Sequence, residues 1–264
     1  MKIAYNDYPE ICTDYRLKAQ VQEHPYPLVF ATISGAHLYG FPSANSDFDL
    51  RGIHVLPLSE VVGLKTGSST IERSGIVDDW EIDLVTHDLH KFFTLIVRPN
   101  GYVLEQILSP LVVYASPNFE ELKSIAIRCV TKHHAHHYLG FAATQWKLLE
   151  KEAVPRIKPL LYLYRVLLTG IYLMQTGQIQ ANLIRLNEHF KLSWIEELIE
   201  RKIAGVEKEK LDESTMPFHQ RQYERLTKLL REAHECTHLP ETATGKEALH
   251  DLLLRIRLAE RADT

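Results

Sequence analysis

Apolar positions along the first third of the chain follow strand-like patterns. Leu28-Val29-Phe30-Ala31-Thr32-Ile33 is a compact apolar run between Pro27 and Gly35, as expected of a buried strand. Gly35 to Ser46 is rich in Gly, Pro, Ser and Asn and reads as a turn or loop. A second strand is predicted from Phe48 to Leu56, limited by Pro57. A third covers Trp80 to Val85, where Trp80, Ile82 and Leu84 alternate with Glu81, Asp83 and Val85. Alternation puts Glu81 and Asp83 on one face.

The period then changes. Leu89, Phe92, Phe93 and Ile96 follow helical i, i+3, i+4, i+7 spacing, and Pro99 ends that helix. Ser116-Pro117 reads as an N-cap with proline in the first turn. Onward the chain is almost wholly helical. Ser193 and Glu196 fit a capping box, Gly177 and Gly205 stand at helix C-terminal positions, and Leu226, Leu229, Leu230 and then Leu249, Leu252, Leu253, Ile256 mark two later helices. The expected organisation is α+β: a mixed-sheet domain over residues 1–115 and an all-helical domain over residues 116–264. No repeat or low-complexity tract interrupts it.

Composition narrows the class. The chain has 264 residues, 45 % hydrophobic and 24 % charged, an ordinary globular balance. Such a length buries roughly three quarters of the unfolded surface. The net charge of -4 argues against a broad basic face for wrapping nucleic acid, while leaving room for a local basic groove. Cys12, Cys129 and Cys236 are far apart, so there is no CxxC pair, and free thiols in a reducing compartment are expected. Met1 to Asp14 has no apolar leader region. The most apolar stretch, Leu160 to Met174, is broken by Arg165, so no membrane span is expected. These features together predict a cytoplasmic protein.

The chemistry concentrates in Ile33-Ser34-Gly35-Ala36-His37-Leu38-Tyr39-Gly40 and Ser46-Asp47-Phe48-Asp49-Leu50-Arg51-Gly52. On a strand, Asp47 and Asp49 point the same way. Two carboxylates held together disfavour joint ionisation unless a cation lies between them. Hard oxygen ligands favour magnesium or manganese, which serve phosphoryl and nucleotidyl transfer. Asp83 is the candidate third ligand, with Glu81 in reserve. The glycine turn suits a different role. Backbone N–H groups at its entry to a helix fit phosphate oxygens, and Gly35 permits close approach.

The two segments resemble the DNA polymerase beta nucleotidyltransferase superfamily. Its pattern is a hydrophobic residue, Gly, then Gly or Ser, about ten residues, and Asp-hydrophobic-Asp. Here Gly35-Ala36 is followed by His37 to Ser46 and then Asp47-Phe48-Asp49. The closer resemblance is to the RNA-repair-pathway-associated members, continuing at Lys91-Phe92, at Asn100 with Leu104-Glu105, and loosely at Lys158, Tyr162 and Arg165. It covers roughly Leu28 to Gly177. The resemblance implies a palm-like mixed sheet with flanking helices, ATP or another nucleoside triphosphate as substrate, and two Mg²⁺ (or Mn²⁺) held by Asp47, Asp49 and Asp83. Asp83 would also be positioned to accept the proton of an acceptor hydroxyl, and the implied acceptor is an RNA end. Lys158 and Arg165, with Tyr162 on the same helix face, are implied to meet the triphosphate and the base. Ala36 departs from the pattern: a serine hydroxyl is missing, and backbone donors remain.

Each of these residues also has an ordinary structural role open to it. Ser46 touches metal or phosphate, or closes its own turn. Arg51 binds phosphate, or pairs with an acid on the sheet. His37 and Tyr39 line the triphosphate pocket, or Tyr39 is a core aromatic. Asn100 and Glu105 are read as capping or bracing the helix after Pro99. His133, His134, His136 and His137 read as a solvated helix face, with zinc as the alternative. There is no Walker A, Gly-x-Ser-x-Gly or His-Glu-x-x-His motif. Two other functions stay open: nucleotidylation of a protein or small molecule, and a non-catalytic nucleotide- or RNA-binding module.

Overall fold

The structure is a computed structural model describing residues 8–152, 155–205 and 211–259; of the N-terminal stretch Met1 to Asp14, residues 1–7 lie outside them. In chain order its elements are α1 (Tyr8–Ile11), α2 (Tyr15–Gln22), β1 (Leu28–Ile33), α3 (Gly35–Tyr39), β2 (Phe48–His54), α4 (Ser59–Val62), β3 (Thr70–Val77), β4 (Trp80–Asp88), α5 (Leu89–Val97), α6 (Gly101–Ile107), β5 (Val112–Ala115), α7 (Phe119–Ile127), α8 (His134–Lys151), α9 (Ile157–Thr176), α10 (Leu183–Phe190), α11 (Ser193–Ala204), α12 (Met216–Cys236) and α13 (Lys246–Ala259). They form two compact units. One holds the described residues up to Gly35, Asp47–Cys129 and those from Ala243 onward; the other holds Ala36–Ser46 and Val130–Thr242.

The first unit is a five-stranded sheet in the order β3-β4-β2-β1-β5 with helices against it. β2 and β4 run parallel; every other neighbouring pair is antiparallel. β1 lies inside the sheet and is buried along its whole length, which accounts for its unbroken apolar run. Phe30 stacks on Phe119 of α7 at 4.8 Å and meets Phe92 of α5 edge-on at 5.6 Å. The apolar stripe of α5 is buried as its spacing predicts: Leu89, Phe92, Phe93 and Ile96.

The buried carboxylate of Asp88 ties this unit together. It caps α5 by accepting from the His90 amide at 3.0 Å, and it accepts from the Leu56 amide at 3.2 Å. Arg257 of α13 donates to both of its oxygens at 2.8 Å. Both side chains are nearly sealed from solvent, at 5 % and 6 % exposure. Nearby, the buried Thr86 hydroxyl lies 2.9 Å from His24 Nε2 and 2.8 Å from His54 Nδ1.

In the second unit, α9 is the central helix. It is long and apolar enough to cross a membrane by length and composition alone, yet 78 % of its apolar window is buried within the protein. Gly170 lets Tyr138 of α8 and Leu230 of α12 press against its backbone; an added Cβ would lie 2.9 Å and 3.0 Å from them. The Tyr164 hydroxyl and His219 Nδ1 lie 2.8 Å apart. Gly177 ends the helix at φ +73, its amide donating to Leu173 at 2.8 Å.

Several expectations are corrected. The edge strands β3 and β5 carry no pattern that predicts them. β3 alternates weakly and has no buried residue, so no apolar face marks it. Its turn to β4 is carried by Asp78 and Asp79, both at positive φ (44 and 67), which aspartate tolerates better than most residues. Ser116-Pro117 does not start a helix: the Ser116 amide donates to the Val29 carbonyl on the sheet at 2.8 Å, and α7 begins at Phe119 after Asn118. Ser193 is not an N-cap, because Leu192 holds that position with its side chain buried. Gly205 is the C-cap of α11, as its position predicts, in an extended conformation. His134 is buried, not solvated. By compact units, α7 and α13 sit with the sheet, and Ala36–Ser46 with the helices. The cysteines carry free thiols.

Removing Arg257 leaves a buried carboxylate with half of its partners. Arg257→Met is expected to lower unfolding free energy by about 3–5 kcal/mol, read from denaturant midpoints; a loss near zero would remove Asp88 from this role. Burial, the largest effect, holds His54 and His87 at about 4, below the usual value near 6.5. Their folded pKa lies below the unfolded one, so the stabilisation is full above about pH 6.5 and is lost as pH falls toward 4, by about 1.4 kcal/mol per pH unit per histidine. Urea midpoints should therefore drop steeply through this window, and less steeply in His54→Asn; parallel profiles would refute the assignment.

Candidate active site

β1 ends at Ile33, and Gly35 follows at φ +60, a conformation that L side chains adopt only with strain. The space a Cβ would take there is filled by the carboxylate of Asp49. The Ser34 amide donates to the Asp49 carbonyl at 2.7 Å, pinning the turn to β2. Glycine is thus required twice, for its backbone angle and for the approach of Asp49. The group that closely approaches Gly35 is the Asp49 carboxylate, where the sequence suggested phosphate.

Asp47 immediately precedes β2, and Asp49 lies within it. Between them Phe48 turns the other way, buried and stacked on Trp80 at 4.1 Å. β2 and β4 pair in parallel with Asp49 beside Asp83. In both strands the residues flanking these aspartates are buried on the opposite face: Phe48 and Leu50, Ile82 and Leu84. Asp49 and Asp83 therefore share a face at the same level. Glu81, the reserve ligand, lies on that face and is exposed.

Arg51, also on this face, is the positive charge between them. Its Nη2 donates to Asp49 Oδ1 at 2.5 Å and to Asp83 Oδ2 at 3.1 Å. Nη1 donates to the carbonyls of Leu50 and Asp83, both at 2.8 Å, and Nε to the Tyr102 hydroxyl at 3.2 Å. Burial works against its charge, but Tyr102, Asp49 and Asp83 outweigh it and raise its pKa above the ordinary value. The Ser74 hydroxyl of β3 donates to the other Asp83 oxygen at 2.7 Å. Of the two roles open to Arg51, the ion pair on the sheet is the one seen.

Ala36, His37, Tyr39, Ser46, Lys158, Tyr162 and Arg165 lie in the helical unit, and Asn100 in the sheet unit. Ala36 and His37 are buried. Tyr39 is a core aromatic: the Arg165 guanidinium sits 3.8 Å from its ring centroid, and Tyr162 meets it edge-on at 5.4 Å. Tyr162 also meets Phe41, at 5.6 Å. Tyr162 and Arg165 thus share a helix face as their spacing predicts, with the half-buried Lys158 on the preceding turn of α9. Ser46 closes its own turn, accepting from the Ser43 amide at 2.9 Å. Asn100 caps α6 through the Tyr102 amide at 3.0 Å.

Four contributors have no signal in the sequence. Tyr102 and Ser74 reach the acidic face only through sheet register and the placement of α6. Asn182, capping α10, donates to the Leu38 carbonyl at 3.3 Å, and the buried Lys202 donates to Ser43 Oγ at 3.0 Å. These last two hold the segment after Gly35 from distant helices.

The residues that form this arrangement lie inside a match to the RNA repair pathway DNA polymerase beta family, which extends over residues 12–255. An uncharacterized protein of Methanocaldococcus jannaschii is 34 % identical over 156 residues, 58 % of this chain and 63 % of that protein. An uncharacterized protein of Bacillus subtilis is 27 % identical over 165 residues, 62 % of each. The chain thus spans less than two thirds of either relative. Among solved structures, a nucleotidyltransferase-like protein from Exiguobacterium sibiricum aligns over 92 % of this chain and 74 % of its own, at 9 % identity and a TM-score of 0.33, values too low to carry an argument. The family match embraces both the glycine turn and the aspartates it supports, and with a mixed sheet flanked by helices and followed by more, the chain belongs to the RNA repair pathway DNA polymerase beta family and has its α+β nucleotidyltransferase-like fold.

Proposed function

We propose that the chain transfers a nucleoside monophosphate from ATP or another nucleoside triphosphate to a hydroxyl acceptor, an RNA end in the leading version, and releases pyrophosphate. The observation that carries this reading is the matched placement of Asp49 and Asp83 on adjacent parallel strands, with Asp47 two residues before Asp49 and the Gly35 turn against it. The donor set is all carboxylate oxygen, which fits a hard divalent ion. Asp47, Asp49 and Asp83 would hold magnesium or manganese, whose chemistry is to neutralise triphosphate charge and lower the pKa of the acceptor hydroxyl. The acceptor oxygen forms a bond to the α-phosphorus while the bond to the bridging oxygen breaks; Asp83 takes the hydroxyl proton, and pyrophosphate carries away the electron pair. Arg51 meanwhile keeps Asp49 and Asp83 level. Roles toward the nucleotide for Ala36, His37, Tyr39, Ser46, Lys158, Tyr162 and Arg165 belong to the same proposal and rest on the family resemblance. A cytoplasmic setting, expected from the composition, is part of it.

Two observations favour a non-catalytic nucleotide-binding module instead. Arg51 already spans two of the three carboxylates, and Ala36 offers no hydroxyl. The two readings differ in turnover. With labelled ATP and Mg²⁺ or Mn²⁺, label should move to RNA, and Asp49→Asn should cut pyrophosphate release by at least about 100-fold. Label on protein or a small molecule would replace the acceptor; binding without turnover under any acceptor would leave the module reading.

A second experiment asks whether these carboxylates take a cation. Arg51→Met removes the positive charge between them, so its thermal stability should rise more on adding Mn²⁺ than the wild type's does. Equal shifts would argue against a metal there. Gly35→Ala combines a strained φ with displacement of Asp49, and should lose activity together with about 1–2 kcal/mol of stability; an active, stable variant would disprove the tight turn.

A further inference from the structure

The histidine run at the start of α8 separates into two kinds of residue. His134 is buried and folds back on Thr131, whose amide lies 3.1 Å from its Nδ1. His133 and His136 lie outside the core, His136 exposed. They are three apart, with ring centroids 6.1 Å from one another. A third imidazole arrives from the last turn of α12: His234, whose ring centroid lies 5.0 Å from that of His136. One ring nitrogen from each of the three lies within 4.8 Å of the others. The Nε2 of His234 is sealed from solvent and has no hydrogen-bond partner among the described residues. A buried imidazole nitrogen without a partner is costly unless something else satisfies it.

We propose that His133, His136 and His234 form a three-imidazole site for a borderline divalent transition metal, zinc foremost, linking the start of α8 to the end of α12. Neutral nitrogen ligands favour zinc, cobalt, nickel or copper over magnesium. Ligand nitrogens around tetrahedral zinc lie roughly 3.4 Å apart, given bonds of about 2.1 Å. Small side-chain rotations at two surface histidines close the difference. The surroundings contain the carboxylate that such sites use to orient a ligand: Glu241 Oε2 lies 3.3 Å from His133 Nε2, while Oε1 pairs with Lys132. With Nε2 engaged there, Nδ1 of His133 is the nitrogen left to take the metal, and a carboxylate so placed fixes the ring and raises its basicity. Three protein ligands leave a fourth position for water. This site is chemically distinct from the carboxylate face in donor type, nitrogen against oxygen.

Cobalt(II) serves as the probe, because tetrahedral coordination gives it intense visible absorption bands. The untagged full-length protein, stripped with chelator, should bind one equivalent of Co²⁺ with such bands, lose them to Zn²⁺, and gain thermal stability with Zn²⁺. His136→Ala, at an exposed position that leaves the fold intact by circular dichroism, should abolish both the bands and the shift. His234→Ala should do the same, and Glu241→Gln should weaken binding by about 10- to 100-fold. Asp49→Asn should leave the cobalt spectrum unchanged. Bands that survive His136→Ala, that vanish in Asp49→Asn, or that never form would overturn the proposal.

Discussion

Two carboxylates held side by side on parallel strands repel one another, and the candidate site is built around the charge that balances them. At about 4 Å and an effective dielectric constant near 20, a pair of unit charges interacts by about 4 kcal/mol, a sizeable part of a domain's whole stability. Arg51 offsets this by sharing one nitrogen between Asp49 and Asp83 and anchoring the rest of its guanidinium on two carbonyls and a phenol. One positive charge against two negative ones, with Asp47 adjoining, still leaves the face acidic. A triphosphate, itself strongly anionic, cannot approach such a face without additional cations. The same excess charge that makes the arrangement costly in isolation is what couples nucleotide binding to metal in the proposed reaction.

Legibility from sequence followed burial. β1 was plain because all six of its residues are buried, and α5 because its stripe is. The acidic pair at the start of β2, Asp47 just before it and Asp49 within it, could be read because alternation puts them on one side, and Asp83 because Ile82 and Leu84 bracket it. β3 and β5 were hidden: edge strands need no apolar face, so their residues follow no clear period. Arg51 could be read as a pairing or a phosphate-binding residue, but choosing between these needed the β2–β4 register. Tyr102, Ser74, Asn182 and Lys202 were beyond reach, since each acts across a separation that local pattern does not encode.

The turn after β1 shows how far a local motif depends on remote sequence. Gly35 belongs to the sheet unit, yet the next residues are held by helices: Asn182 on the Leu38 carbonyl, Lys202 on Ser43, Tyr162 and Arg165 on Tyr39. Strands β1 and β2 are adjacent and antiparallel, an arrangement that a short hairpin would satisfy. Instead their connection is spent on the helical unit.

The bond between Asp88 and Arg257 joins residues 169 positions apart. A ribosome delivering the chain from its N-terminus exposes every strand of the sheet long before it releases the arginine that neutralises the carboxylate beneath them. Until then the Asp88 carboxylate lacks the guanidinium that donates to both of its oxygens. Completion of this unit is therefore a late event in synthesis, and the nascent sheet, with its unguarded edges, is the stage at which the protein is most exposed to misassociation.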